Sequence, residues 1–256
     1  MSSDSQISPS FSLETDTHMH TIASTHAYST ILELATYAKK AGLGVIAITD
    51  HGPALPDAPH EWHFSNLHIL PPVIHGVRVL HGVEANIMDY AGNLDLCKSI
   101  QKDLDWVIAS YHEPCCKPGT VEELTTSYLH LAENEEVDVI GHSGRGRCVY
   151  DYDRVLPVFK KKNKLVEINS NTLSKGKGSK EHCHKIVGLC KKYAVPVVVN
   201  SDAHSCFDVG NTKAALHLLA EEGYPQEWIV NRTAQSLADW ILKKKGRNIL
   251  EEPVSR

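Results

Sequence analysis

The chain lacks any long apolar run. Its richest apolar stretches are short and broken by glycine, histidine or charge, so none reaches the length a bilayer span needs. Positive charge is also short: 26 Lys and Arg face 31 Asp and Glu, for a formal net charge of -5. That balance leaves no electrostatic footprint for nonspecific nucleic-acid binding. With only 16 Gly and 12 Pro, a collagen-like or linker-dominated chain is excluded. Seven Cys, at 97, 115, 116, 148, 183, 190 and 206, make an odd count without a C-x-x-C pair. This excludes an extracellular disulfide framework and points to reduced thiols in the cytoplasm. Residues 1–12 are polar and Ser-rich, with no Lys or Arg and no apolar segment, unlike a signal peptide. The expected organisation is a disordered leader over 1–13, one folded domain over 14–246 and a short tail over 247–256.

What remains is ample for one core: 42% of 256 residues are apolar. β-rich runs at residues 15–20, 45–49, 78–84, 106–111, 137–141, 165–169 and 196–200 alternate with stretches of helical period. Those helical stretches are 30–41, 121–132, 155–162, 179–193, 212–222 and 233–245, the first with Ser29 and Gly42 as cap signals. Several strand runs are nearly continuous in apolar residues, the pattern of strands buried on both faces of a parallel sheet. Seven such units predict a single-domain α/β fold, a distorted TIM-like (β/α)7 barrel, with an open doubly wound sheet as the alternative. An irregular stretch at 89–96 stands where the helix after the third strand would be, and a Lys/Gly-rich loop spans 174–180.

Histidine is over-supplied, with 16 residues, and its placement is ordered. Nearly every expected strand ends in metal-type ligands: Asp16-Thr17-His18-Met19-His20, Asp50-His51, Glu84, His112, His142 and Asp202-Ala203-His204, with His26 in the loop after the first strand. In a parallel barrel these C-terminal ends converge on one face. Side chains two apart on a strand point the same way, so His18 with His20, and Asp202 with His204, act as pairs. Seven imidazoles and two carboxylates gathered without a cation would carry a large desolvation cost. The set therefore predicts divalent-metal binding at His18, His20, His26, His51, Glu84, His112, His142, Asp202 and His204. Imidazole mixed with carboxylate suits zinc, with manganese or iron as alternatives.

The segments DTHMHTIASTHAY (16–28), IAITDHGPALPDAPHEW (46–62) and SDAH (201–204) resemble the PHP (polymerase and histidinol phosphatase) domain family, in its stand-alone phosphatase branch, over about residues 14–245. The resemblance implies a distorted barrel with three metal ions in a cleft at the strand C-termini. It implies that His18, His20, Asp202 and a bridging Glu84 hold one ion, His26, His51 and His204 a second, and Glu84, His112 and His142 the third. The chain departs from the branch at His142-Ser143-Gly144-Arg145-Gly146-Arg147, where a Pro is usual, and in reading Asp-Ala-His for Asp-Ser-His.

Three divalent ions against two ligand carboxylates leave a positive cleft floor that attracts a phosphate group. Water bound to such ions ionises near pH 7, against about 15.7 in bulk, so a bridging hydroxide is the expected nucleophile in a phosphomonoesterase. Glu84 and Asp202 are the expected catalytic acids. Arg145, Arg147, His60 and His63 are the candidate substrate contacts, with Lys175 and Lys177 facing the same barrel end. The expected partner is a small-molecule phosphate ester; no membrane is expected, and the sequence leaves a homo-oligomer open. Two other readings survive: an amidohydrolase, which would want a bridging Lys where this chain has Tyr111-His112, and a non-enzymatic metal-binding regulatory module.

Overall fold

The structure, a computed structural model, describes residues 12–174 and 180–251. Its strands are β1 (Thr15–Asp16), β2 (Val45–Ile48), β3 (Val73–Ile74), β4 (Val77–Asn86), β5 (Trp106–Ser110), β6 (Val139–Ile140), β7 (Leu165–Asn169) and β8 (Val197–Asn200). All but β3 run parallel, in the order β1-β2-β4-β5-β6-β7-β8, and β3 pairs antiparallel with the start of β4. The helices are α1 (Ile31–Lys40), α2 (Glu61–Ser65), α3 (Lys98–Asp103), α4 (Val121–Ala132), α5 (Tyr152–Lys161), α6 (Ser170–Ser174), α7 (Lys180–Tyr193), α8 (Lys213–Glu221) and α9 (Ala234–Lys245). This is the expected seven-stranded α/β barrel, nearly closed.

The last seam is made differently from the others. Between β8 and β1 the main chains meet at a single bridge, Met19 with Ala203, where His20 N donates to Ala203 O at 2.9 Å. Side chains complete the seam: Asn200 Oδ1 accepts from Thr17 N (2.9 Å) and Thr17 Oγ1 (2.8 Å), and Asp16 Oδ1 accepts from Ser201 N (3.1 Å). The first strand is consequently shorter than the expected 15–20. Past Asp16 the chain divides its hydrogen bonds, taking Thr49 N on one side and Ala203 O on the other.

Inside the barrel one alternating register carries the core upward into the site. Val45, Ala47, Leu80, Trp106, Ile108, Val139, Leu165 and Val198 form one buried apolar cluster with Leu237, Ala238 and Ile241 of α9, which plugs the N-terminal end. Continued two residues at a time, the same faces read Leu80-Gly82-Glu84, Ile108-Ser110-His112 and Val198-Asn200-Asp202. The opposite strand faces pack against the surrounding helices in two further clusters.

Local signals explain the helix boundaries. Thr30, not Ser29, caps α1, because Glu33 at the third helical position closes a capping box with it. The Ser29 hydroxyl instead accepts from Cys206 N across the seam. α5 begins at Tyr152 rather than at 155: Asp151 caps it, and Tyr152, Val155, Leu156 and Phe159 form its buried face. The stretch at 89–96 is a tight excursion pinned by a bridge between Ile87 and Leu94, followed by short α3. All seven Cys lie among the described residues as free thiols. Most of the leader (1–11), Lys175 and Lys177 with 176 and 178–179, and residues 252–256 of the tail lie outside the described residues. Among the described residues no helix is long and apolar enough to cross a membrane.

Beneath the barrel, buried Asp138 pairs with Lys244 and Lys245 of α9, each at 2.7 Å, and buried Lys164 donates to Val137 O at 2.8 Å. Burial, with Lys244 nearby, lowers the Lys164 ammonium to about 7. Its folded-state pKa lies below that of the unfolded chain, so the unfolded chain holds the extra proton between the two values. Stability owed to this group therefore rises with pH between about 7 and about 10, at up to about 1.4 kcal/mol per pH unit. Denaturant unfolding at several pH values should show wild type gaining on Lys164→Met across that window; parallel curves would refute the assignment.

A candidate metal centre at the C-terminal face

The strand-end side chains predicted from the sequence meet around two acids. Glu84, at the inner register of β4, has His51 Nδ1 at 2.8 Å, His142 Nε2 at 2.9 Å, His18 Nε2 at 3.4 Å, His112 Nε2 at 3.5 Å and His20 Nε2 at 3.6 Å. Asp202 Oδ1 stands 3.3 Å from His20 Nε2, 3.4 Å from His204 Nδ1 and 3.8 Å from His18 Nε2. His26 joins through its Nε2, 2.9 Å from His204 Nε2. All nine predicted ligand positions thus belong to one contiguous cluster. They are buried apart from His204, which is partly exposed, and His26, which sits at the mouth.

Backbone geometry at the strand ends aims these groups. His142 (φ 25°) and Asp202 (φ 56°) adopt left-handed conformations that L-residues rarely take, and both are in the cluster. Gly141 lets His142 sit there, since a Cβ at 141 would collide with the Ser110 hydroxyl. Outer contacts orient the rings: Glu167 Oε1 lies 2.6 Å from His18 Nδ1, Asn86 Oδ1 lies 2.7 Å from His112 Nδ1, and Asp57 meets His26 Nδ1. Asn169 Nδ2 and Asn171 Nδ2 each donate to Asp202 Oδ2 at 3.2 Å.

The donor chemistry fits divalent ions. His18 Nε2, both ring nitrogens of His20 and His112 Nε2 are buried with no hydrogen-bond partner, and His51 Nδ1 faces only Glu84 Oε2, at 2.8 Å, a costly arrangement for polar atoms unless something satisfies them. Three overlapping triads have their ligand atoms within 4.8 Å of one another: His18, His20 and Asp202; His20, His51 and His204; His51, Glu84 and His112. Burial, aided by His51, pushes His20 down to about 3. Burial also lowers His112 and His204. Burial alone would raise the two acids, but His18 and its neighbours hold Glu84 and Asp202 well below the usual carboxylate range. Neutral imidazole beside ionised carboxylate is the state that binds a metal. At His18 and His51 burial is outweighed by the adjacent acids, which raise the ring pKa. There a cation and a proton compete for the same nitrogen.

The cleft above the cluster encloses about 440 Å³. Arg145 and Arg147, on the loop after β6, line its wall, with Arg147 3.0 Å from Glu113. His60 caps α2 through Trp62 N, and His63 Nε2 lies 3.3 Å from buried Asp50, so neither is among the residues lining this cleft. Asp50 accepts from Thr21 and Ser24 and ties the loop after β1 to the end of β2. Sequence reasoning missed the outer residues Glu167, Asn86 and Asp57, and it marked Asp50 only as a strand-end group beside His51. Only their period-two spacing on the inward faces, as in Glu84-Ala85-Asn86 and Leu165-Val166-Glu167, marked two of them.

Residues 16–171 match the family described as the PHP domain. A protein of Clostridium novyi (strain NT) named "probable phosphatase" is 46% identical over 91% of this chain and 95% of its own length. Another of that name, from Acetivibrio thermocellus, is 42% identical over 91% of this chain and 96% of its own. The crystal structure of histidinol phosphate phosphatase from Lactococcus lactis, complexed with zinc, L-histidinol and phosphate, superposes with a TM-score of 0.59. It has 17% identity and covers 83% of this chain and 94% of that one.

Glu84 has more imidazole neighbours than Asp202, so Glu84→Gln should lower the divalent metal recovered per chain. Elemental analysis checks this, and wild-type metal content in the variant would count against a shared centre at Glu84.

Proposed function

The chain belongs to the PHP domain family, and from that membership we propose that it is a metal-dependent phosphatase that hydrolyses a small-molecule phosphomonoester. The observation that carries this reading is the ring of buried, unpartnered imidazole nitrogens facing two ionised acids at the floor of an open cleft. Relatives spanning nine-tenths of the chain carry the name phosphatase.

In this reading three ions are held, with Glu84 shared. His18, His20 and Asp202 hold one, His26, His51 and His204 the second, and His112 with His142 the third. Zinc, the ion named with the Lactococcus lactis structure, suits a donor set rich in imidazole. Bound divalent ions supply Lewis acidity and bring the ionisation of water toward neutral pH. The chain's own groups do the remaining work. Arg145 and Arg147 grip the phosphate oxygens from the cleft wall, where bidentate guanidinium contacts fix its orientation. Asn169 and Asn171 occupy Asp202 Oδ2, leaving Oδ1, which faces His18 and His20, as the oxygen that would hold the ion. Glu84 keeps the floor of the cleft charged and its ring of imidazoles in place.

A phosphomonoester, a phosphodiester and an amide, each assayed with zinc, manganese and magnesium, test the reading. The monoester should be the substrate, its turnover abolished by chelation and restored by zinc or manganese. Asp202→Asn should lower kcat by about 10²-fold or more. Full activity after chelation, or preference for the amide, would overturn the reading; bound metal with no turnover of any substrate would favour a regulatory module.

A further inference from the structure

We propose that Glu167 is a positioning residue for this centre: it fixes the ring proton of His18 on Nδ1, leaving Nε2 aimed inward, and the same carboxylate pins the turn that presents His142. The inference rests on the metal-centre reading and adds a residue outside the nine predicted ligands.

Glu167 lies in β7 one inward step below the cleft, and its side chain is fully buried. Both oxygens are occupied by donors. Oε1 accepts from Asn200 Nδ2 at 2.9 Å and faces His18 Nδ1 at 2.6 Å. Oε2 accepts from the His142 main-chain N–H at 2.8 Å and from Asn169 Nδ2 at 3.2 Å. An ionised carboxylate offers acceptors only, so Nδ1 of His18 must supply the proton of the shortest of these bonds. A neutral imidazole with its proton on Nδ1 has its lone pair on Nε2, which is buried without a hydrogen-bond partner. That nitrogen stands 3.4 Å from Glu84 Oε2 and 3.8 Å from Asp202 Oδ1, between the two acids of the cluster. A carboxylate behind a ligand imidazole sets its tautomer and raises its basicity toward a metal.

The second arm acts on backbone. His142 holds a φ of 25°, a conformation that persists only where the surroundings enforce it. Glu167 takes the N–H of that residue, while the His142 ring reaches Glu84 at 2.9 Å. One buried side chain thus fixes a ring from the first strand end and a turn from the sixth, across the part of the barrel where the ladder is shortest.

Two measurements test this. In zinc-loaded wild type with nitrogen-15-labelled histidine, NMR should place the His18 ring proton on Nδ1, the signal being assigned by its loss in His18→Gln. A proton on Nε2 would overturn the proposal whether or not any Glu167 variant folds. In Glu167→Gln, one amide oxygen can serve the His18 ring or the His142 N–H but not both. Competition against a chromophoric chelator should therefore show zinc held about 10- to 100-fold more weakly than in wild type. Tyr224→Ala is the control: Tyr224 is buried below β8, where its hydroxyl donates to Val195 O and its ring packs on Trp228, away from the cluster. It should lower the Tm with zinc competition unchanged. Wild-type retention in Glu167→Gln, or equal weakening in Tyr224→Ala, would overturn the positioning role alone. Wild-type protein that takes up no zinc would overturn the metal reading and this role with it.

Discussion

Two ionised carboxylates buried in one small volume set the terms for everything around them. Glu84 and Asp202 are 1% and 6% exposed, and taking such charges out of water is costly unless something nearby compensates. The fold surrounds them with imidazoles, several of whose nitrogens lack hydrogen-bond partners, so the protein alone only partly balances the charge it has buried. A site of this kind is stable in proportion to what it holds. The two charged acids and the rings of His20, His112 and His204, which burial keeps neutral, already stand in the protonation states that a divalent ion requires, whereas His18 and His51 would exchange a proton for it.

The barrel can bear this load because its polarity is graded along the strands. The inward faces begin apolar over the α9 plug and turn polar toward the C-terminal end, as in Leu80-Gly82-Glu84, Ile108-Ser110-His112 and Val198-Asn200-Asp202. The cost of the polar layer is thereby confined to one end, over a close-packed base. At the opposite end Asp138 with Lys244 and Lys245 locks α9 into place. Between these layers, the β8–β1 seam is joined mainly by the side chains of Asn200 and Asp16. The strand that supplies His18 and His20 is thus held by the same polar layer that surrounds them.

The polar layer is continuous. Glu167 bonds Asn200, Asn200 bonds Thr17, and Thr17 precedes His18 in the chain. Asp95, from the excursion at 89–96, accepts from Asn86, which in turn faces His112. Ring orientation therefore depends on residues one and two contacts away. Side chains tied this way hold the cleft floor in register, and above it the arginine loop is anchored by Arg147 to Glu113 and by Ser143 to Tyr150.

The amino-acid sequence by itself determined the barrel and the ligand-type residues, because both are written in local patterns. A buried parallel strand is a continuous apolar run, and a metal-type His or acid at its end is legible wherever the run stops, as at Ile46-Ala47-Ile48 before Asp50-His51. Helix ends were legible where a capping residue stood alone, and mistaken where two candidates adjoined, as at Ser29 and Thr30. Only the tertiary structure decided which residues stand behind the ligands. Glu167 reads in sequence as one acid inside an apolar strand, and Asn86 as the polar end of another; their importance comes from neighbours 149 and 26 positions away. It likewise turned His60 and His63 toward a helix cap and Asp50, since a loop's side-chain directions follow from long-range packing and not from its own spacing.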